Sequence, residues 1–152
     1  MNYWLLKSEP EVFGIDALKK QRTTVWDGVR NYQARIYLRS MQVDDLAFFY
    51  HSNTEITGLA GLCKITEIGV VDPTQFDAES PDFDPKSTPD NPRWETVKVA
   101  FVEKFEHVIT LDTLKEKFTA DELVVVRKGN RLSVMPVSAV AAQRLLRMAR
   151  PA

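Results

Sequence analysis

Apolar residues fall along this chain in short alternating runs and in helical spacings, so strands and helices are predicted to share one core. Asn2 to Glu9 reads as a strand, with Tyr3, Leu5 and Lys7 alternating against Trp4, Leu6 and Ser8 until Pro10 stops it. Both of its faces begin apolar, which predicts a central strand, and its end turns polar at Lys7-Ser8-Glu9. Asp16 to Lys20 offers one apolar turn of helix. After Trp26 the chain turns at Asp27-Gly28 and enters a helix. There Ala34, Tyr37, Leu38 and Met41 recur on one face, and Asn31, Arg35 and Arg39 lie on another. Leu46 to Tyr50 is a second apolar strand ending in His51-Ser52-Asn53. Thr57 to Ile68 is its expected hairpin partner, in which Gly58 and Gly61 mark a bulge or a close backbone approach.

Further on, Val97, Val99, Phe101 and Phe105 alternate with Thr96, Lys98 and Lys104, predicting a long half-exposed antiparallel strand from Trp94 to Phe105. Thr110 is placed to cap a helix through Leu111, Leu114 and Phe118, and Thr119 to Glu122 has capping-box spacing. Arg127 to Arg131 is a basic turn, Leu132 to Pro136 a brief closing strand, and Ser138 a cap for a last helix with Ala142, Leu145, Leu146 and Ala149 inward. Val71 to Arg93 holds five of the eight prolines and is expected to be a long solvated connection. Neither repeats nor linkers interrupt the pattern. One α+β domain, residues 1–152, is expected on a curled, mostly antiparallel sheet.

Composition narrows the function. With 44% hydrophobic and 27% charged residues in 152, the chain is of ordinary globular type and long enough to bury a core unaided. The apolar run Tyr3 to Leu6 is too short for a signal or a membrane span, so a cytoplasmic protein without membrane contact is expected. A lone cysteine, Cys63, excludes an internal disulfide and a cysteine zinc site, and its neighbours mark it as a buried small hydrophobe. Two histidines and acids without EF-hand spacing (Asp72, Asp77, Asp82, Asp84) give no metal or cofactor to expect. A net charge of -1 argues against indiscriminate binding to phosphate backbones. The charge is unevenly spread: six basic residues and no acid lie from Arg127 to Ala152, and six acids face one lysine from Asp72 to Asp90.

Candidate chemistry gathers where buried strands end in polar groups, at Lys7-Ser8-Glu9, His51-Ser52 and Arg131-Leu132-Ser133. Should these ends meet near Trp26 and Trp94, they form an aromatic pocket with amide, hydroxyl and cationic rims, suited to an unstacked base. Stacking supplies about 1–3 kcal/mol per base, so strand-level affinity would require phosphate contacts from Arg30, Arg35, Arg39 or Arg131. Trp26 as a plain core residue is the alternative. Two other classes stand beside base binding. One is an enzyme acting on a base or small nucleotide, with Glu9 and His51 as acid and base; the other is a protein-interaction module using the proline-rich acidic loop.

The segments Tyr3-Trp4-Leu5-Leu6-Lys7-Ser8-Glu9-Pro10, Trp26-Asp27-Gly28-Val29-Arg30-Asn31-Tyr32-Gln33-Ala34-Arg35, Phe49-Tyr50-His51-Ser52, Pro92-Arg93-Trp94 and Arg131-Leu132-Ser133-Val134 occur in order. Together they resemble the EVE domain over essentially the whole chain. The resemblance implies a PUA-like fold, a small twisted β-barrel of mostly antiparallel strands with peripheral helices, related to the YTH readers of methylated adenosine. It implies non-catalytic binding of a modified base, methylated or hydroxymethylated for example, flipped out of DNA or RNA. Carried over, Trp26 is a wall of the base cage and Trp94 a second one. Ser8, Glu9 and Asn31, beside Lys7, read the base edge; His51 and Ser52 line the floor; Arg131 and Ser133 contact backbone or sugar. The chain departs from the family pattern at Ile36 (usually asparagine), at Asp44 (commonly glycine) and at Met135 (usually glutamine). Met135 is therefore expected to remove one hydrogen bond to the ligand.

Overall fold

The period-two alternation of the first strand divides the interior in two. Strand β1 (Tyr3–Ser8) sends Trp4 and Leu6 into one apolar cluster and Leu5 into another, all three 5% exposed or less. Strand β3 (Leu46–His51) repeats the division, with Ala47 and Phe49 against Phe48 and Tyr50. The computed structural model describes residues 1–150; the last two residues of the expected 1–152 domain lie outside the described residues.

Between β1 and β3 run helices α1 (Pro10–Phe13) and α2 (Ile15–Gln21), strand β2 (Thr23–Val25) and helix α3 (Tyr32–Ser40). Strands β4 (Gly58–Val71) and β5 (Glu95–Thr110), helix α4 (Leu111–Lys117), strand β6 (Val134–Val137) and helix α5 (Ala139–Ala149) follow. The strands form one six-stranded sheet in the order β2-β5-β4-β3-β1-β6. All pairings are antiparallel except β1 with β3. The fold is α+β and PUA-like, as expected. Ile15 and Leu18 of α2 and Ala34 and Leu38 of α3 fill the first cluster, while Leu114 of α4 and Ala141, Ala142 and Leu145 of α5 fill the second.

The expected caps form: Thr110 and Ser138 side chains accept from the backbone N–H of Thr113 at 3.2 Å and of Ala141 at 3.1 Å. At Gly58 and Gly61 a Cβ would fall 2.1 Å from the Ile109 carbonyl oxygen and 2.5 Å from that of Glu103, so the close approach read from these glycines is present. Asp44, where the resemblance implies that glycine is common, carries a positive φ of 76°. No helix among the described residues is long and apolar enough to cross a membrane.

Three features differ from the sequence reading. Pro10 ends β1 but also opens α1, because its fixed φ suits the first helical position. Strand β2 exists only through its pairing with β5. The 71–93 connection is not a solvated loop: it contains a 3-10 turn, Pro73–Phe76, and buries Asp72, Gln75 and Ser87.

Candidate functional site

The parallel pairing of β1 with β3 places Ser8 opposite His51, so both strands release their polar ends at one edge of the fold. Strand β6 runs antiparallel to β1 with Leu6 opposite Val134, which brings its preceding residues, Arg131 to Ser133, to that same edge. Two backbone bonds fix the meeting: the Lys7 N–H donates to the Ser133 carbonyl at 2.8 Å, and the Ser52 N–H to the Ser8 carbonyl at 3.0 Å. The three ends singled out in the sequence thus converge.

They open onto a cleft of about 1050 Å³ whose other side is the segment Thr24 to Asn31. Of the residues expected at a site, Lys7, Ser8, Glu9, Trp26, Arg30, Asn31, Ser52, Arg131 and Ser133 border it. Trp26 continues β2, its N–H donating to the Val97 carbonyl at 2.9 Å, and its indole meets Phe49 edge-on at 5.4 Å. Only 7% of this residue is exposed, so it is a core residue that shows a margin to the cleft. Gly28 then turns the chain at φ 82°; its N–H donates to Asp72 at 2.8 Å, and a Cβ would lie 2.7 Å from an Asp82 carboxylate oxygen. A side chain there would be strained by the positive φ and would displace the Asp82 carboxylate. Asn31 closes the turn by capping α3, its Oδ1 accepting from Ala34 N–H at 3.0 Å.

Around the rim, the Ser8 hydroxyl donates to the Phe13 carbonyl at 2.6 Å and keeps its capacity to accept. Glu9 Oε1 accepts from Asn53 at 2.9 Å. Burial lowers the Lys7 pKa, and its ammonium lies 5.6 Å from the Tyr50 ring centroid. Asp27 is pushed up by burial first and then by the charges of Asp72 and Asp82. Burial would raise Asp72 too, but bonds from Thr74, the Gly28 N–H and Arg30 outweigh it and hold that carboxyl below its usual range.

Several expected site residues have other employment. Trp94, expected as a second cage wall, does not border the cleft. It is 5% exposed, stacks on Tyr32 at 5.3 Å, donates its indole N–H to Asp84 at 2.7 Å and lies 5.1 and 5.2 Å beneath the Arg30 and Arg35 guanidinium groups. Arg30 spends its donors on the Asp82 carbonyl, Asp72 and Thr74, at 2.9, 3.0 and 2.9 Å. Arg35 donates to the Arg93 carbonyl at 2.8 Å, and Arg39 pairs with Glu95 at 3.8 Å. Arg30, just ahead of α3, and Arg35 within it therefore secure the 71–93 loop, while Arg39 pairs with the first residue of β5. Arg131 is exposed on the rim and pairs with no carboxylate among the described residues. Met135 is 1% exposed inside the second cluster, so its replacement of glutamine does not reach the cleft.

His51 does not line the cleft floor. Its Nε2 accepts the Ile15 N–H at 3.1 Å, supplying a partner for the start of α2. Burial lowers its pKa, with a smaller opposing pull from Asp16 and a smaller lowering push from Lys104. The folded chain thus favours neutral His51, and protonation would destroy the acceptor. Stability from this group is present above the unfolded value of about 6.5 and lost as pH falls below it. The urea midpoint of the wild type is expected to drop between pH 7 and pH 5 by more than that of His51→Asn; parallel drops would reject this.

Pattern reading missed Asp27, Thr24, Gln21 and Asp82, which also border the cleft. Asp27 was visible as a polar residue beside the tryptophan. The arrival of Asp82 depended on a loop whose path local sequence does not encode.

A family model described as EVE domain matches residues 2–148. Thymocyte nuclear protein 1 from Rattus norvegicus is 44% identical over 155 residues, covering 90% of this chain and 69% of that protein. The crystal structure of human THYN1 protein in complex with 5-methylcytosine containing DNA matches with a TM-score of 0.92 at 40% identity, covering 100% of this chain and 99% of that one. The YTH domain of Zygosaccharomyces rouxii MRB1 protein, solved in complex with N6-methyladenosine RNA, matches with a TM-score of 0.56 at 10% identity over 98% of this chain and 86% of that one, a likeness of fold alone.

Proposed function

The chain belongs to the EVE domain family, and from that premise we propose that its cleft binds a modified base flipped out of a nucleic acid, without catalysis. One observation carries the reading: three polar strand ends converge beside Trp26 on an open cleft, in a fold matching that of a protein crystallised with 5-methylcytosine DNA. A cleft of about 1050 Å³ has room for a nucleotide and part of its strand. Its rim offers the Ser8 hydroxyl oxygen as acceptor and the side-chain NH2 of Asn31 as donor to a base edge, and Lys7 and Arg131 to phosphate. Glu9 bonded to Asn53, and His51 bonded to Ile15, are each committed to structure, which supports binding over acid–base chemistry.

The test is a fluorescence titration with matched strands bearing cytosine, 5-methylcytosine, 5-hydroxymethylcytosine, adenine or N6-methyladenosine at one position. At least one modified strand is expected to bind more tightly than its plain counterpart; equal affinities throughout would overturn the reading. Arg131→Gln is expected to weaken modified and plain strands alike and to lower the salt slope by about 0.7–0.9 for one lost phosphate contact. Its melting temperature should stay at the wild-type value, since the side chain is exposed on the rim.

A further inference from the structure

The cleft is electrically divided. Lys7 and Arg131 stand where β1 and the approach to β6 meet, whereas Asp27 and Asp82 stand on the side formed by the turn after Trp26 and the 71–93 loop. Neighbouring acids of that loop are occupied: Asp72 takes Arg30, and Asp84 takes Arg93 and the Trp94 indole. Asp82 has an oxygen packed over Gly28. Asp27 differs. Its backbone is fixed by donation to the Val25 carbonyl at 3.0 Å, yet its exposed carboxylate accepts no side-chain or backbone bond from another described residue and makes no ion pair among them. An anionic group at that place repels phosphate, so this side of the cleft suits the base and the opposite side the backbone.

We propose, resting on the base-binding reading above, that Asp27 selects bases bearing an exocyclic amine by accepting a hydrogen bond from it, while Lys7 and Arg131 draw the phosphate the other way. Cytosine and adenine derivatives present an N–H donor where thymine and uracil present a carbonyl oxygen. A carboxylate facing that carbonyl gains nothing and is left unpaired against like partial charge. Partial burial first, and then the charges of Asp72 and Asp82, push the Asp27 carboxyl up, with Arg30 opposing, so this carboxylate gains from a donor that no described residue supplies.

5-Methylcytosine and thymine share a ring methyl and a shape but exchange donor for acceptor at positions 3 and 4 of the ring, so they separate this reading from one based on size. Competition titrations with strands carrying either base at one position are expected to show 5-methylcytosine favoured about tenfold, the low end for one discriminating contact. Asp27→Asn, whose amide both donates and accepts, is expected to bring that ratio close to one, as is Asp27→Ala, with melting temperatures near the wild type. An unchanged ratio in both variants would overturn the proposal, as would a wild type that binds thymine equally well. Equal binding of every modified strand and its plain counterpart would instead refute the modified-base reading, and cytosine against uracil would then decide the role of Asp27. If no strand binds, both fall.

Discussion

Trp26→Ala is expected to cost about 3–5 kcal/mol of stability, the range for removing a large aromatic side chain from a packed core. The indole belongs to the apolar cluster that also holds Leu6 of β1 and Val97 of β5, and it meets Phe49 edge-on at 5.4 Å. The same change removes a wall of the cleft. With only 7% of the residue open, the loss in affinity is expected at the lower end of the stacking range, about 1 kcal/mol or fivefold to tenfold. Stability should therefore suffer more than binding, the reverse of what a free-standing base cage predicts. Urea unfolding and titration of the modified strand, both at low temperature where the variant stays folded, measure the two effects. Trp26→Phe keeps a ring against Phe49 and is expected to recover most of the stability. Wild-type affinity in folded Trp26→Ala would place the bound base elsewhere.

How far the sequence revealed this depends on the range of the interactions concerned. Strand β1, the inward face of α3 and the caps Thr110 and Ser138 are set by residues within one or two turns of one another, so spacing exposes them. Cys63 is legible for the same reason: it is fully buried between apolar neighbours, and burial pushes its thiol up to about 12. The convergence of polar ends at the cleft was legible only as a condition, because it needs the parallel β1–β3 pairing, and register between strands over forty residues apart leaves no local trace. The arginines of α3 show the opposite failure. Their spacing marks a common face correctly, but whether that face meets solvent or protein is decided by distant partners: the 71–93 loop brings the Arg93 carbonyl to Arg35, Trp94 packs under it, and β5 brings Glu95 to Arg39. Composition made that loop look solvated, since prolines and aspartates predominate in it. Removing Thr74 to Ser87 to test a protein-interaction role would thus remove the Arg30 and Trp94 partners as well, and is expected to disturb the cleft along with the loop.

Gln75→Glu is expected to destabilise the chain by about 3 kcal/mol at neutral pH, although it changes the side chain's volume very little. Gln75 is fully buried and binds main chain on both sides: Nε2 donates to the carbonyls of Asp72 at 2.7 Å and Trp94 at 2.8 Å. Its Oε1 accepts from the N–H groups of Trp94 at 3.1 Å and Arg93 at 3.2 Å and from the Ser87 hydroxyl. Glutamate would turn an oxygen toward two carbonyl oxygens, leaving both acceptors unpaired in the interior at about 1–3 kcal/mol each, or would take up a proton to avoid it. Because protonation restores one donor, the gap from wild type is expected to narrow as pH falls from 7 toward 5. Gln75→Leu, which satisfies none of these groups, should show a loss of similar size with no such narrowing. The consequence reaches the cleft, since Asp72, held through its carbonyl by Gln75, in turn holds the Gly28 N–H and Arg30 behind Trp26. Hydrogen exchange at the Gly28 and Trp94 amides is expected to accelerate together in both variants. Protection kept at Gly28 while Trp94 opens would show that the turn beside Trp26 stands independently of the loop.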